Sequence, residues 1–150
     1  MSIHVDIHNP DFDIPDQAKI QHWLTHVLYQ YNEVEISIKI VGLAEMQAIN
    51  LQYRKKDKPT NVLSFPSHLP EGLPITLLGD LVLCPHVIQQ EALEQNKTLE
   101  SHWAHMIVHG TLHLLGYDHE DPNDAQLMEN LEINILETLG FTNPYGVMNE

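Results

Sequence analysis

Cationic side chains are scarce in this chain. Seven lysines and arginines face 21 aspartates and glutamates, giving a formal charge of -14 over 150 residues. That balance excludes a surface that attracts nucleic acid everywhere through its field alone. Cysteine is almost missing. Cys84 stands alone, so no intrachain disulfide can form, which fits a reducing cytoplasm and sets the expected location there. No apolar run nears the ~18 residues that span a bilayer, so no membrane partner is expected. The opening Met1-Ser2-Ile3-His4-Val5-Asp6 has no basic region followed by an apolar stretch, and no signal peptide is read in it. Repeats, low-complexity tracts and linkers are lacking too. One soluble domain over residues 1–150 is expected, large enough to bury roughly two thirds of its unfolded surface.

What is present is patterned. Ile3, Val5 and Ile7 alternate with polar residues as in a strand, and so do Val34, Ile36, Ile38 and Ile40. Leu77 to Leu83 and the short run Val62 to Phe65 read as two more strands. Helical spacing runs from Pro15 through Leu28, from Leu43 to Tyr53 (Leu43, Met46, Ile49 and Leu51 inward), and from Pro85 to about Gln95. It continues from a Thr98 cap to Leu115, where Gly116 stops it, and from Asp121 on, with Leu127, Leu131, Ile135 and Leu139 as one apolar stripe. Helices between strands imply crossovers and parallel pairing, but the link from Phe65 to Leu77 has none, which allows an antiparallel pair. The expected class is α+β: a small mixed sheet of about four strands, packed with about five helices.

The scarcity of cations makes their placement informative. Four of the seven, Arg54, Lys55, Lys56 and Lys58, fall within five positions, and Arg54 is the only arginine. A solvated loop is the plain explanation. A phosphate-binding segment is the other, since a guanidinium offers bidentate donors to phosphate and stabilises developing negative charge.

Histidine, by contrast, is abundant at 11, with five between His102 and His119. His109 and His113 are one helical turn apart on a single face. Gly116 can end the helix in a left-handed conformation, and His119 can return to the same ion. Three imidazoles leave a zinc's fourth position open, the arrangement of a catalytic site. The spacing matches that of the metzincin peptidases, which carry a general-base glutamate after the first histidine; here that residue is Gly110. His105, one turn before His109, is a candidate supporting residue or else a buried, hydrogen-bonded histidine. His102 is expected at the surface, and His4, His8, His22, His26, His68 and His86 follow no ligand spacing. Asp80, inside the apolar strand after Gly79, either orients a ligand histidine or caps a turn. Ser64 and Cys84 have no neighbouring base and are weak nucleophile candidates.

Together these blocks resemble the YbeY family of endoribonucleases, which mature bacterial ribosomal RNA. The run His109-Gly110-Thr111-Leu112-His113-Leu114-Leu115-Gly116-Tyr117-Asp118-His119 matches that family's signature throughout. Further blocks resemble Tyr53 to Pro66 and Leu78 to Cys84. One departure is Lys55, where the family usually has glycine. The resemblance implies a zinc-dependent, single-strand-specific ribonuclease acting at the 3′ end of 16S ribosomal RNA and in ribosome quality control. It implies one Zn2+ per chain on a zincin-like helix held by His109, His113 and His119, with Arg54 catalytic. On the reading of the residues themselves, Lys55, Lys56 and Lys58 are expected to join Arg54 on the RNA, with His105 and Asp80 as candidate supporting residues; ribosomal small-subunit components are the expected partners. None of the substrate detail follows from spacing or composition. Two other classes fit the residues: a metallopeptidase whose base comes from elsewhere, and a non-catalytic assembly factor with structural zinc.

Overall fold

The computed structural model describes residues 2–67, 75–118 and 120–145. His68 and His119 lie outside the described residues. Four strands and five helices follow in the order β1 (Ser2–His8), α1 (Gln17–Val27), β2 (Glu33–Ile40), α2 (Leu43–Arg54), β3 (Val62–Pro66), β4 (Thr76–Leu83), α3 (Pro85–Glu94), α4 (Leu99–Leu114) and α5 (Pro122–Thr138). The sheet order is β1-β2-β4-β3. β1, β2 and β4 run parallel, and the helix-free link makes β3 antiparallel to β4. This is the mixed α+β sheet that the pattern of strands and crossovers implied. No helix among the described residues is long and apolar enough to cross a membrane.

The pleat divides the sheet into two unequal faces. Val34, Ile36, Ile38, Leu81 and Leu83 point to one face and are buried under α1, α4 and α5, in the main core with Trp23, Trp103 and Ile107. Each such side chain contributes about 1.5–3 kcal/mol on burial. A smaller cluster of Val41, Met46, Leu63, Val82 and Cys84 lies elsewhere, beside α2. Asn50, rather than Leu51, is the second fully buried position of α2, and Leu43 and Leu51 are exposed. In α5 the buried stripe is Met128, Glu132 and Leu136, one position on from the expected one, and Leu127 is exposed. In both helices the i, i+4 stripe contains a polar residue, which a reading by hydrophobicity skips.

β4 carries a bulge: Glu35 pairs with Leu77 but Ile36 with Gly79. Gly79 has φ +135°, and a Cβ there would lie 2.2 Å from the Phe65 carbonyl oxygen, so only glycine lets edge strand β3 pair at that point.

Candidate metal centre

α4 places the histidines. Thr98 caps its start, its hydroxyl accepting from the Ser101 amide, and the helix is buried on nearly every side. At its far end the Gly116 amide donates to the His113 carbonyl and the Tyr117 amide to the Leu112 carbonyl, with Gly116 at φ +102°. This paired closure ends the helix as the sequence implied. It brings Tyr117, Asp118 and Glu120 to the wall of a cleft of about 720 Å³ that His109 and His113 also line. The two imidazole centroids are 4.7 Å apart, with ring planes at 78°. Arg54, from the end of α2, lines the same cleft.

Behind His109 stands a carboxylate that the sequence reading missed. Glu132, fully buried on α5, accepts from His109 Nδ1 at 2.6 Å and from His105 Nε2 at 3.2 Å, and its other oxygen accepts from the Tyr145 hydroxyl at 2.7 Å. Burial alone would raise its pKa; the hydrogen bonds from His105 and His109 outweigh that and bring it down to about 2. Glu132 is therefore an anion. With its proton on Nδ1, a neutral His109 carries its lone pair on Nε2, the form in which imidazole binds metal. Burial lowers the His105 pKa against the pull of Glu132, and burial followed by the Glu132 charge raises that of Tyr145. Ligand atoms of His105, His109 and Glu132 lie within 4.8 Å of one another, so this cluster could hold a metal in place of the hydrogen bonds that join them here. The donor set is borderline-soft imidazole with one carboxylate, which suits zinc.

Gly110 explains the absent peptidase base. A Cβ at this position would lie 2.8 Å from a Leu81 methyl and 3.0 Å from a Val62 methyl, and the Ser64 hydroxyl donates to the Gly110 carbonyl at 2.9 Å. Helix and sheet touch here, so a side chain would have to displace the Leu81 and Val62 methyl groups. Ser64 is thus a packing contact.

The segment after Arg54 is tethered. Asn50 Nδ2 donates to the Lys58 carbonyl and Gln47 to the Asp57 carboxylate. Lys55, Lys56 and Lys58 are all exposed on it. Lys55 is the C-cap of α2 with φ 62°, a left-handed conformation that glycine adopts more readily than lysine.

Two expectations need correction. Asp80 is not near the histidines. Leu81 faces α4, so strand alternation turns Asp80 to the other side of the sheet, where it is exposed and lines a separate cavity with Glu35 and Ser37. His102 is not at the surface but 2 % exposed, bonded through Nε2 to Glu91 at 2.8 Å. Burial would raise the Glu91 pKa, but hydrogen bonds from His102 and Asn61 bring it below the usual value. His105 is the buried, hydrogen-bonded residue of the two readings it had, and through Glu132 it also belongs to the network behind His109. One signal for Glu132 was available: a carboxylate exactly i+4 from Met128 and i−4 from Leu136, in the middle of a helix's apolar stripe.

Comparison with known proteins follows the same outline. The family model described as endoribonuclease YbeY matches residues 4–140. Among solved structures, this chain is similar to the solution structure of TM1509 from Thermotoga maritima. The two share 27% identity with a TM-score of 0.61, over 91% of this chain and 87% of that one.

Proposed function

Because the chain belongs to the YbeY endoribonuclease family, we propose that it is a zinc-dependent, single-strand-specific endoribonuclease. Its substrate on this reading is the 3′ end of 16S ribosomal RNA. It works in the cytoplasm with small-subunit components, in rRNA maturation and ribosome quality control. The observation that carries the reading is convergence: the only arginine of the chain and the His109–His113 pair line one cleft from different elements.

One zinc ion per chain would be held by His109, His113 and His119. Asp118 and Glu120, which flank position 119, line the cleft and support this ligand set. Zinc, when bound, supplies Lewis acidity toward a phosphoryl oxygen or a water. The Glu132 carboxylate holds the His109 ring in position and fixes its tautomer. Arg54 takes the scissile phosphate with two parallel N–H donors and steadies the charge that grows on it. Lys55, Lys56 and Lys58 hold neighbouring phosphates against the acidic background. With Asp80 on the far face of the sheet, the cleft carboxylates Asp118 and Glu120 and the RNA 2′-hydroxyl remain to manage the proton.

A metallopeptidase is disfavoured by Gly110, packed against Leu81 and Val62 where the base would stand, and a purely structural zinc by a cleft that Arg54 lines together with His109 and His113. The test compares wild type with His113→Ala on a single-stranded oligoribonucleotide, its duplex and a peptide, with zinc measured by elemental analysis. Wild type should hold about one zinc and cut only the single strand, and the variant should lose both properties. An intact single strand with zinc-loaded wild type, or unchanged zinc and cleavage in the variant, ends this reading.

A further inference from the structure

Aromatic side chains are few here; three tyrosines are exposed, Tyr29, Tyr53 and Tyr145, and Tyr53, at 60%, is the one that adjoins Arg54. It does not stand alone. Its ring meets that of Phe65 edge to face, with centroids 5.0 Å apart and planes at 69°. Phe65 is itself held against the small core around Val82 and Cys84. The exposed ring therefore has a fixed support, while a T-shaped contact leaves a ring face open to solvent.

The position of the pair is informative. Tyr53 immediately precedes Arg54, and Phe65 lies between Ser64 and Pro66; Arg54, Ser64 and Pro66 all line the histidine cleft. β3 is an edge strand, so the aromatic pair sits across that edge from the cleft, beside the exposed Lys55 and Lys56. Tyr53 thus adjoins both Arg54 in the cleft and the exposed cationic segment that follows it.

We propose that Tyr53, backed by Phe65, is a stacking platform for one unpaired base that flanks the phosphate held by Arg54. The ligand is a nucleobase of single-stranded RNA, of any identity, because every base presents a π face. This rests on the ribonuclease reading and adds to it a reason for single-strand preference, since a base stacked inside a duplex cannot reach the ring.

The experiment uses the zinc-loaded enzyme and single-stranded oligoribonucleotides, one series carrying an abasic ribose at each position in turn. Tyr53→Ala should raise KM roughly ten-fold or more, with kcat changed less. Tyr53→Trp should restore KM. One abasic position should raise the wild-type KM by a similar factor and add nothing in Tyr53→Ala, as expected when both changes remove one contact. Both native tryptophans, Trp23 and Trp103, are buried, so fluorescence of the Tyr53→Trp protein should respond to RNA at the new site without any turnover.

Tyr53→Leu keeps an apolar contact with Phe65 but cannot stack. If its KM equals that of wild type, the pair is packing only and the platform is overturned. An unchanged KM for Tyr53→Ala on free RNA, with lost co-sedimentation with small ribosomal subunits, overturns it in favour of a protein contact. Wild type that fails to cut any oligoribonucleotide defeats the ribonuclease reading itself, which is a different result.

Discussion

The two walls of the cleft are built in opposite ways. The histidine wall is backed by a buried anion, Glu132, that accepts hydrogen bonds from His105, His109 and Tyr145. The arginine wall is an exposed helix end and a loop, tied down by Asn50 and Gln47. A metal ligand must keep one orientation and one tautomer, which buried, fully engaged groups enforce. A phosphate clamp has to follow a flexible polymer and works with exposed, long side chains. Changes on the first wall should therefore cost stability and metal together, whereas changes on the second should weaken RNA handling without loss of metal or stability.

The largest effect is expected at Glu132. Glu132→Ala strips a buried acceptor from three donors and should cost about 3 kcal/mol or more in chemical denaturation. Metal affinity should fall ~10–100-fold by competition with a chelator. Glu132→Gln is the sharper version. It keeps the shape but can offer an N–H to His109 Nδ1, which moves the ring proton to Nε2. Metal affinity should then drop while most of the stability remains. Equal losses in both measurements would mean that Glu132 serves packing and not the ligand.

Next comes Arg54. Arg54→Ala should cut RNA cleavage ~100–1,000-fold, the scale for a group that stabilises transition-state charge. Melting temperature and zinc content should stay near wild type, because the side chain is exposed. Arg54→Lys should also be impaired, as an ammonium cannot reproduce the planar fork. A metal-depleted Arg54→Ala protein would break the division between the walls.

The smallest effect has the opposite sign. Lys55 holds a left-handed conformation at φ 62°, so Lys55→Gly should stabilise the fold by about 1 kcal/mol. The same change should weaken RNA binding and reduce the slope of log K against log salt by about 0.7, one phosphate contact on a single strand. Stability and binding moving together would remove Lys55 from the RNA path.

Much of this contrast follows from sequence distance. The strand order, the Thr98 cap, the Gly116 stop and the His109–His113 pair rest on local rules of period and capping, so they can be read directly. Arg54 stands out because cations are so rare. Glu132 lies 23 residues from His109 and Tyr145 a further 13 from Glu132, and only the packing of α5 on α4 brings them together. The burial of His102 has the same origin, since its partner Glu91 belongs to α3. Asp80 was misplaced because the bulge and the pleat decide its face, and neither is visible in a run of apolar residues.

The close contact at Gly110 also bears on descent. A peptidase of the same histidine spacing differs from this chain by one residue on paper, yet the route between them is not one substitution long. A glutamate at this position would first have to displace the Leu81 and Val62 side chains, which belong to the main core. Intermediates along that route would lose core packing before gaining a base. The missing carboxylate is thus tied to how two core side chains pack between a helix and a strand.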